Sequence, residues 1–503
     1  MITIIYSTHK DSQFNNLFKK HLLDSIGIKT DKVQILEYQN NNQYSLAEIY
    51  NKGITESLYN IVVCCHNDIK LENNWGKKLL KDFESNADYA IIGKAGSCYF
   101  PKSGIYWEKM NQTMVGQVWH HPENQKKWLN KYSAKLPYLI PVVTVDGLFI
   151  SFDKTKIKHK FDESFGGFHF YDHSFCLPNY LDGIKIGVTS SFEITHKSVG
   201  QPNTEFFDTK IKFLEKFLPS LPLDLKPQKI YTPIIKNKIL KVKSKVAIII
   251  LTKGNLDLIK NCIESFITHC DKNIFDLIVA DTGSTEKELE VLSEFCKISG
   301  AKLLKYNYYH FAKINNHIVK NHLDEIHEHI LFCNNDIVVL NNVIQEMLTT
   351  FKQVTNLGCV GARLHYPDFT VQHDGIFGLL DTKNKSIQVG HQNPNSYFNF
   401  KIEPTDILGN TAALLMVRKT IFESVGMFPE HYRHCFEDVA LSLSFVIKGY
   451  KNILNGRCVA IHHESKTRDI KLTEKEIIED YNQILVPFIK SNFEKLKKHF
   501  FVL

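Results

Sequence analysis

The segment Ile330-Leu-Phe-Cys-Asn-Asn-Asp336 is a short apolar run that ends in three polar residues. A run of this length, followed by turn-forming residues, predicts a buried strand with a carboxylate at its end. A similar segment, Ile61-Val-Val-Cys-Cys-His-Asn-Asp68, lies in the first half of the chain. The pair indicates that one structural unit occurs twice.

Other features recur around these two segments. Each half of the chain opens with a predicted buried strand, Ile2-Thr-Ile-Ile-Tyr-Ser-Thr8 in the first and Val246-Ala-Ile-Ile-Ile-Leu-Thr252 in the second. Each half also has an acidic residue that opens an apolar helical stretch ending at glycine, and a later strand that ends in histidine. These four segments are Asp172–Gly183, Asp438–Gly449, Phe192–His196 and Val459–His463.

The intervals between these features agree in the two halves. From the strand-end acid to the helical acid, the interval is 104 residues in the first half and 102 in the second. From the helical acid to a histidine it is 24 residues in both halves, ending at His196 and His462. We therefore predict a duplicated domain, with copies at residues 1–215 and 246–470, and a C-terminal tail at 471–503.

Residues 216–245, between the two copies, are rich in proline and lysine. The segment Leu218-Pro-Ser-Leu-Pro-Leu-Asp-Leu-Lys-Pro227 argues against a continuous helix and for a linker. Its lysines either form a solvated face or contact anionic lipid or a phosphate. These lysines are Lys226, Lys229, Lys236, Lys238, Lys241, Lys243 and Lys245.

Within each half, predicted strands alternate with amphipathic helices, as in residues 246–252 and 255–269. This alternation predicts α/β domains, each with a mostly parallel sheet flanked by helices. Ligands of such sheets bind beyond the carboxyl ends of the strands. Thr252, Asp281 and Asp336 all follow predicted strands, so we expect them to lie at one edge of the sheet.

The strand-end acid is suited to a divalent cation, because hard cations take oxygen ligands and bridge phosphates. The alternative for Asp336 is a turn in which Asn and Asp bond their own backbone. Its recurrence as Asn67-Asp68 favours the metal site.

Asp281 ends the second predicted strand of its half, where a carboxylate can accept from a ribose or a nucleobase. The alternative is a helix N-cap, a role that Ser284 or Thr285 could also fill. By position in its strand, we match Glu37 of the first half to Asp281.

Asp438 opens a helix, and the helix dipole favours its ionised form. Such a carboxylate can take a proton from a sugar hydroxyl as that hydroxyl attacks, although acids are also common at helix N-termini for structural reasons. His462 or His463 can complete a metal shell, or it can be purely structural.

Several classes of function are disfavoured. Neither GxGxxG nor GxxxxGK[ST] occurs, which argues against dinucleotide oxidoreduction and P-loop phosphoryl transfer. The segment at His462 is not HExxH, so it does not predict a zinc protease. With a formal net charge of +7 over 503 residues and no basic-aromatic motif, nucleic acid is not an expected partner.

The chain has the composition of a cytosolic protein. No apolar run is long enough to cross a membrane, and the N-terminus lacks the features of a signal peptide. The eleven cysteines form no CxxC pair, which favours reduced, buried thiols.

The tail places apolar residues at roughly helical spacing from Tyr481 to Phe501, with lysines between them. An amphipathic helix of this kind either lies on an anionic membrane surface or docks on its own domain. The first alternative would make the protein peripheral on the inner face of the membrane.

The second half resembles the family-two inverting glycosyltransferases of the GT-A, nucleotide-diphospho-sugar fold, in particular bacterial capsule and O-antigen transferases. The segments that carry the resemblance are Ile278-Val-Ala-Asp-Thr-Gly-Ser284, Leu331-Phe-Cys-Asn-Asn-Asp-Ile337, Gly361-Ala-Arg-Leu-His-Tyr-Pro-Asp368, Val371-Gln-His-Asp-Gly375, Gly409–Arg418, Phe436–Leu443 and His462-His-Glu-Ser465. The first half resembles a more divergent branch, with Tyr171 before its helical acid where the second half has Glu437.

This resemblance implies a role for each candidate residue. The catalytic bases would be Asp172 and Asp438. The residues near the nucleotide would be Thr8, Glu37, Asn67, Thr252, Asp281 and Asn335. The ligands of a Mn or Mg ion would be Asp68, His196, Asp336 and either His462, which the spacing favours, or His463, which the match of His196-Lys-Ser198 to His463-Glu-Ser465 favours.

The implied function is a bifunctional glycosyltransferase of bacterial surface polysaccharide synthesis. Its donors would be nucleotide-diphospho-sugars of the UDP type, and its acceptor a glycan or lipid-linked glycan. One alternative is an active second domain with a first domain that only positions the acceptor. Another is a non-catalytic module that binds a nucleotide or a glycan.

Overall fold

The structure is a computed structural model that describes residues 1–8, 12–198, 202–225, 245–381, 386–432, 435–463 and 477–502. The chain forms two units, Met1–Gln228 with Tyr397–Asn399 and Lys229–Ser396 with Phe400–Leu503, so the main change of unit falls after Gln228. This point lies inside the predicted linker 216–245. The linker lysines from Lys226 to Lys243 lie outside the described residues.

The first unit contains strands β1–β15 and helices α1–α6. The strands are β1 (Ile2–Thr8), β2 (Val33–Gln39), β3 (Ile61–Cys65), β4 (Ile69–Leu71), β5 (Tyr89–Gly93), β6 (Ala95–Ser97), β7 (Tyr99–Phe100), β8 (Met114–His120), β9 (Trp128–Lys131), β10 (Ile140–Val142), β11 (Thr144–Val145), β12 (Phe149–Asp153), β13 (Lys185–Val188), β14 (Ile194–His196) and β15 (Leu223–Asp224). The helices are α1 (Ser12–Ser25), α2 (Leu46–Glu56), α3 (Trp75–Ser85), α4 (Met110–Thr113), α5 (Tyr171–Leu181) and α6 (Thr204–Phe217).

The main sheet of the first unit has the strand order β10-β13-β5-β12-β3-β1-β2. β1 lies parallel to both β2 and β3, and its side chains are almost entirely buried, as the apolar run Ile2–Tyr6 predicts. β12 is inserted antiparallel between β3 and β5. In a second sheet, β14 pairs antiparallel with β4 and parallel with β8. Because β4 begins directly after Asp68, the pairing of β14 with β4 places His196 near that residue.

The second unit contains strands β16–β28 and helices α7–α14. The strands are β16 (Lys245–Thr252), β17 (Phe275–Asp281), β18 (Lys302–Lys305), β19 (His327–Asn334), β20 (Ile337–Val339), β21 (Leu357–His365), β22 (Val371–His373), β23 (Ile376–Asp381), β24 (Ser386–His391), β25 (Thr405–Ile407), β26 (Leu414–Arg418), β27 (Lys451–His462) and β28 (Phe500–Val502). The helices are α7 (Leu256–His269), α8 (Glu286–Ser299), α9 (Phe311–His322), α10 (Val343–Gln353), α11 (Lys419–Ser424), α12 (Glu437–Ile447), α13 (Val486–Ser491) and α14 (Phe493–Leu496).

The main sheet of the second unit runs β18-β17-β16-β19-β26-β21-β27-β20. The first four strands in this order are parallel, whereas β26 is antiparallel to both of its neighbours and β20 is antiparallel to β27. The prediction of two α/β units is therefore confirmed. The predicted parallel arrangement holds for β1–β3 in the first unit and for β16–β19 in the second. In each unit an inserted antiparallel strand makes the sheet mixed, because an apolar run does not reveal the direction of its strand.

The start of the predicted linker belongs to the first unit. α6 extends to Phe217, and β15 pairs antiparallel with β7. Phe213 and Phe217 of α6 are buried and contact Phe165, so packing of an apolar helix face continues up to the prolines. At the other end of the predicted linker, Lys245 begins β16 and forms a 2.8 Å ion pair with Asp276.

All eleven cysteines lie in the described residues, none of them forms a disulfide there, and all but Cys435 are buried. This agrees with the prediction of reduced thiols in the cores. Among the described residues, no helix combines the length and the apolar character that crossing a bilayer requires.

The C-terminal tail docks on its own unit. Leu485, Ile489 and Leu496 are fully buried and pack against a cluster that includes Leu443 of α12. β28 extends the contact by pairing parallel with β23. Of the two predicted arrangements of the tail, the structure therefore shows docking on its own domain. These apolar side chains are buried there and are not exposed to a lipid surface.

We predict that Leu485→Ala lowers the free energy of unfolding of the second unit by about 2–5 kcal/mol, because it leaves a cavity beneath α12. Chemical denaturation followed by fluorescence measures this change. The exposed neighbour Gln483 provides the control, since Gln483→Ala removes no buried atoms. A tail that did not pack on α12 would give equal, small effects for both variants.

Candidate functional site

In the second unit, the ends of neighbouring parallel strands bring three predicted nucleotide-site residues together. Thr252 is the last residue of β16, and the strand register places it opposite Asp281, the last residue of β17. Both residues are buried. From the next strand end, the Asn335 amide donates a 3.0 Å hydrogen bond to the Thr252 hydroxyl.

The Asp281 carboxylate closes a turn of its own. It accepts hydrogen bonds from the backbone N–H groups of Gly283 and Ser284, both at 3.3 Å, and from the Ser284 hydroxyl. The following helix α8 is capped by Thr285, which forms a capping box with Glu288. Asp281 is therefore not the N-cap of α8, and its role toward a nucleotide stays a prediction.

Asp336 lies in the turn between β19 and β20, beside His462 at the end of β27. β20 and β27 pair with Ile337 opposite His462, and the Asp336 Oδ1 atom lies 3.2 Å from His462 Nε2. His463 instead contacts Asp336 through the backbone, since its N–H donates to the Asp336 carbonyl oxygen at 3.1 Å. Of the two candidate histidines, the structure brings the imidazole of His462 to the carboxylate.

The ring of His462 is oriented by Gln372 of β22, whose side-chain oxygen lies 2.7 Å from His462 Nδ1. With Nδ1–H donating to this oxygen, Nε2 presents a lone pair towards Asp336. Burial raises the pKa of the Asp336 carboxyl, and when the ring is instead protonated on Nε2, the hydrogen bond and charge of His462 lower this pKa below its usual value. A lone pair facing a carboxylate is an arrangement that a divalent cation satisfies, so the two residues fit a metal.

Asp438, in the first turn of α12, is held by two backbone N–H groups. Its Oδ2 accepts from Ala412 at 2.9 Å and its Oδ1 from Val439 at 2.8 Å. The preceding residue, Phe436, has a left-handed backbone with φ of 73° and begins the turn into the helix. The carboxylate is half-buried at the N-terminus of the helix.

Asp172 of the first unit is held in the same way. Its Oδ2 accepts from the N–H of Gly147 at 2.9 Å and its Oδ1 from the N–H of His173 at 2.8 Å. Phe170 has a φ of 61°, matching the left-handed residue that precedes α12. The two predicted bases are therefore geometrically equivalent.

Asp172 lies among further titratable groups. Asp172 is mostly buried, with a side chain 13% exposed, and burial is the main reason that its pKa lies above the ordinary aspartate value. The neighbouring charge of Asp146 also raises this pKa. His173, buried beside it, has a pKa lowered by desolvation and bonds the Thr144 hydroxyl at 2.9 Å.

The predicted metal ligands of the first unit also meet. Asp68 Oδ1 lies 3.3 Å from His196 Nε2, and β4 and β14 pair with Ile69 opposite His196. A third residue, His66, completes a group whose ligand atoms all lie within 4.8 Å of one another. The sequence offered a signal for His66, because it occupies the first position of the His-Asn-Asp step, but no ligand role was predicted for it.

The match of Glu37 to Asp281 is wrong. The register of β1 and β2 places Gln39 opposite Thr8, the pairing that corresponds to Asp281 opposite Thr252, and places Glu37 opposite Tyr6. Glu37 is exposed and accepts a 3.1 Å hydrogen bond from the Tyr6 hydroxyl. The apolar pattern of β2 did not show how far the strand continues.

The remaining predicted residues lie near these positions. Thr8 is the buried last residue of β1, and its hydroxyl donates to the Asn15 side chain. Asn67 is half-buried between His66 and Asp68 in the turn after β3.

Both units match families of known proteins. Residues 4–216 match the family described as "Glycosyltransferase like family", and residues 247–426 match "Glycosyl transferase family 2". The first range spans the first α/β unit, and the second range spans the second unit from β16 to α11. The predicted fold class of two tandem GT-A domains is confirmed.

Two curated relatives and one solved structure illustrate the similarity. The O-antigen biosynthesis protein RfbC of Myxococcus xanthus is 28% identical over 227 residues, which cover 44% of this chain and 18% of that protein. The uncharacterized protein y4gI of Sinorhizobium fredii (strain NBRC 101917 / NGR234) is 29% identical over 230 residues, covering 44% of this chain and 25% of that protein. The crystal structure of GalNAc-T7 with UDP, GalNAc and Mn2+ aligns with a TM-score of 0.39 and 11% identity, over 48% of each chain.

Both curated relatives are much longer than the part that matches. The matched part of the chain spans 18% and 25% of their lengths.

Proposed function

We propose that this chain, whose two domains belong to glycosyltransferase families, is a bifunctional glycosyltransferase that takes sugars from nucleotide-diphospho-sugars. The acceptor would be a glycan or a lipid-linked glycan, and the reaction an inverting single displacement. We further propose that the donors are of the UDP type. The product would be a bacterial surface polysaccharide, a proposal supported by the relative named for O-antigen biosynthesis.

The observation that carries this proposal is the repetition of one arrangement in both domains. In each, a carboxylate in the first turn of a helix is fixed by two backbone N–H groups. In each, a second carboxylate lies just before a short strand, and a histidine ends the strand that pairs with this short strand. The carboxylate oxygen lies 3.2–3.3 Å from a ring nitrogen of that histidine. One acid fits a base and the other, with its histidine, fits a cation that binds a diphosphate.

The mechanism assigns the proton transfer to Asp438 in the second domain and Asp172 in the first. Each carboxylate oxygen accepts one backbone hydrogen bond and keeps a lone pair that can take the proton of the attacking hydroxyl. The acceptor oxygen then forms a bond to the anomeric carbon while the bond to the diphosphate oxygen breaks. A metal held by Asp336 and His462, or by Asp68 and His196, would supply charge neutralisation for the leaving diphosphate.

The nucleoside would lie against the ends of the parallel strands. In the second domain, Thr252, Asp281 and Asn335 supply hydroxyl, carboxylate and amide groups there. In the first domain, Thr8 and Asn67 occupy the corresponding strand ends. We also propose that the chain acts in the cytoplasm, with a lipid-linked acceptor at the inner face of the membrane.

We predict that Asp438→Asn and Asp172→Asn each abolish one of two sugar transfers, with a loss of about 10²–10⁴ in rate. An amide of the same size cannot take the proton. The measurement is release of nucleoside diphosphate from a panel of sugar nucleotides, with and without EDTA, followed by analysis of the glycan formed. Asp182→Asn, an exposed acid just after the C-terminus of α5, is the control and should leave both transfers intact.

The outcomes separate the alternatives. Loss of all transfer with Asp438→Asn and no effect of Asp172→Asn would assign the first domain to positioning the acceptor. A parent protein that binds sugar nucleotides but releases no diphosphate with any donor or acceptor would indicate a non-catalytic binding module. Transfer that persists in both variants would contradict the assigned bases.

We predict that the rate of transfer by the first domain decreases as the pH is lowered. The midpoint of this decrease should lie above 3.8, the ordinary pKa of an aspartate. Burial raises the pKa of Asp172, and the protonated carboxyl cannot act as a base, so kcat/KM decreases as the pH falls through this raised pKa. The Asp438→Asn variant isolates the first domain for the pH profile. A profile that stays flat down to pH 3.8 would show that Asp172 is not the titrating base.

A further inference from the structure

We propose that His66 is a third metal ligand in the first domain. The site would then select a divalent transition-metal ion, from Mn²⁺ to Zn²⁺, over Mg²⁺, unlike the site of the second domain. This inference rests on the proposed function, which requires a cation in this cleft, and it adds the ligand and the class of ion.

The geometry of three side chains supports this assignment. Asp68 Oδ1 lies 3.3 Å from His196 Nε2 and 4.0 Å from His66 Nδ1. Ligand atoms bound at about 2.1 Å to one ion are roughly 3.0–3.5 Å apart, so the distance between His66 and Asp68 would shorten by about 0.5–1 Å on binding. The three side chains are between 12% and 34% exposed, which leaves the site accessible to an ion and to a diphosphate.

Tyr171 gives His66 the orientation that a ligand requires. The Tyr171 hydroxyl lies 3.0 Å from His66 Nε2, so the other ring nitrogen, Nδ1, is the one that faces Asp68. Tyr171 is itself buried and packs against the rings of Tyr50 and Phe161. Metal-binding histidines are commonly fixed by such a partner on the nitrogen that does not bind the metal.

The second domain differs at both of these positions. Asn334, two residues before Asp336, replaces His66, and its side-chain nitrogen lies 3.3 Å from His462 Nε2. Glu437 takes the place of Tyr171 directly before the base. The first site thus offers two imidazole nitrogens and one carboxylate, whereas the second offers one imidazole. Imidazole ligands favour transition metals, while Mg²⁺ prefers oxygen ligands and water.

Another histidine, His120, lies beside the cluster and provides a matched control. Its ring centroid is 5.8 Å from that of His196, and it stacks on Trp128. Its Nδ1 lies 3.4 Å from the Ser198 carbonyl oxygen. It is near the site but is not one of the three grouped ligands.

The experiment uses the full chain with Asp336→Asn, which weakens the site of the second domain. Isothermal titration with Mn²⁺, Co²⁺ or Mg²⁺ alone, without sugar nucleotide, measures binding to the first domain. We expect Mn²⁺ and Co²⁺ to bind at least tenfold more tightly than Mg²⁺. We expect His66→Asn to weaken Mn²⁺ and Co²⁺ by tenfold or more and Mg²⁺ by less than threefold, and His120→Asn to change none of them.

Tyr171→Phe keeps the buried ring and removes only the hydroxyl, so it tests the same ligand if His66→Asn does not fold. We expect it to weaken Co²⁺ binding at least threefold and to shift the visible absorption bands of bound Co²⁺. The proposal is overturned if His66→Asn leaves Mn²⁺ affinity unchanged, if His120→Asn weakens it equally, or if Mg²⁺ binds the parent as tightly as Mn²⁺.

Failure of this proposal and failure of the proposed function give different results. Asp172→Asn should bind Mn²⁺ like the parent even though its transfer is lost. If transfer by the first domain persists with EDTA-sensitive kinetics while His66→Asn leaves Mn²⁺ affinity unchanged, only the third ligand is rejected.

Discussion

Both candidate sites depend on one pairing of strands. The residue directly after the strand-end acid lies opposite the histidine, Ile69 opposite His196 and Ile337 opposite His462. Antiparallel pairing of β4 with β14 and of β20 with β27 therefore joins two side chains that are more than 120 residues apart in sequence. The same register in both domains fixes the carboxylate and the imidazole at 3.2–3.3 Å, and without it neither domain would have a cation site.

The anchoring of the bases explains how the two domains diverged while keeping this geometry. Asp172 and Asp438 are both held by backbone N–H groups, which every residue except proline supplies. Gly147 and His173 in one domain are therefore equivalent to Ala412 and Val439 in the other. Because the donors are independent of side-chain type, the neighbouring residues can differ between the two domains without changing this anchoring.

The sequence predicted the duplication and the roles that depend on spacing, since equal intervals reflect equal folds. The interval of 24 residues favoured His462, and the strand register brings that imidazole to Asp336. Glu37 was misplaced because strand register is set by the partner strand, which the apolar pattern of β2 does not contain. The docking of the tail was left open for a similar reason, since an amphipathic pattern predicts a buried face but not what covers it.

The departures from the shared pattern are the most informative residues. His66 and Tyr171 differ together from Asn334 and Glu437, and the first pair is in direct contact at 3.0 Å. Replacing Tyr171 alone would remove the group that orients the imidazole of His66. Replacing His66 alone would remove the ring nitrogen that the Tyr171 hydroxyl contacts. The two differences are therefore physically coupled. This coupling links the predicted metal site to the helix that carries Asp172. A cation bound by His66 would then be connected through Tyr171 to the base that directly follows it, whereas the second domain has an amide and a carboxylate at these two positions.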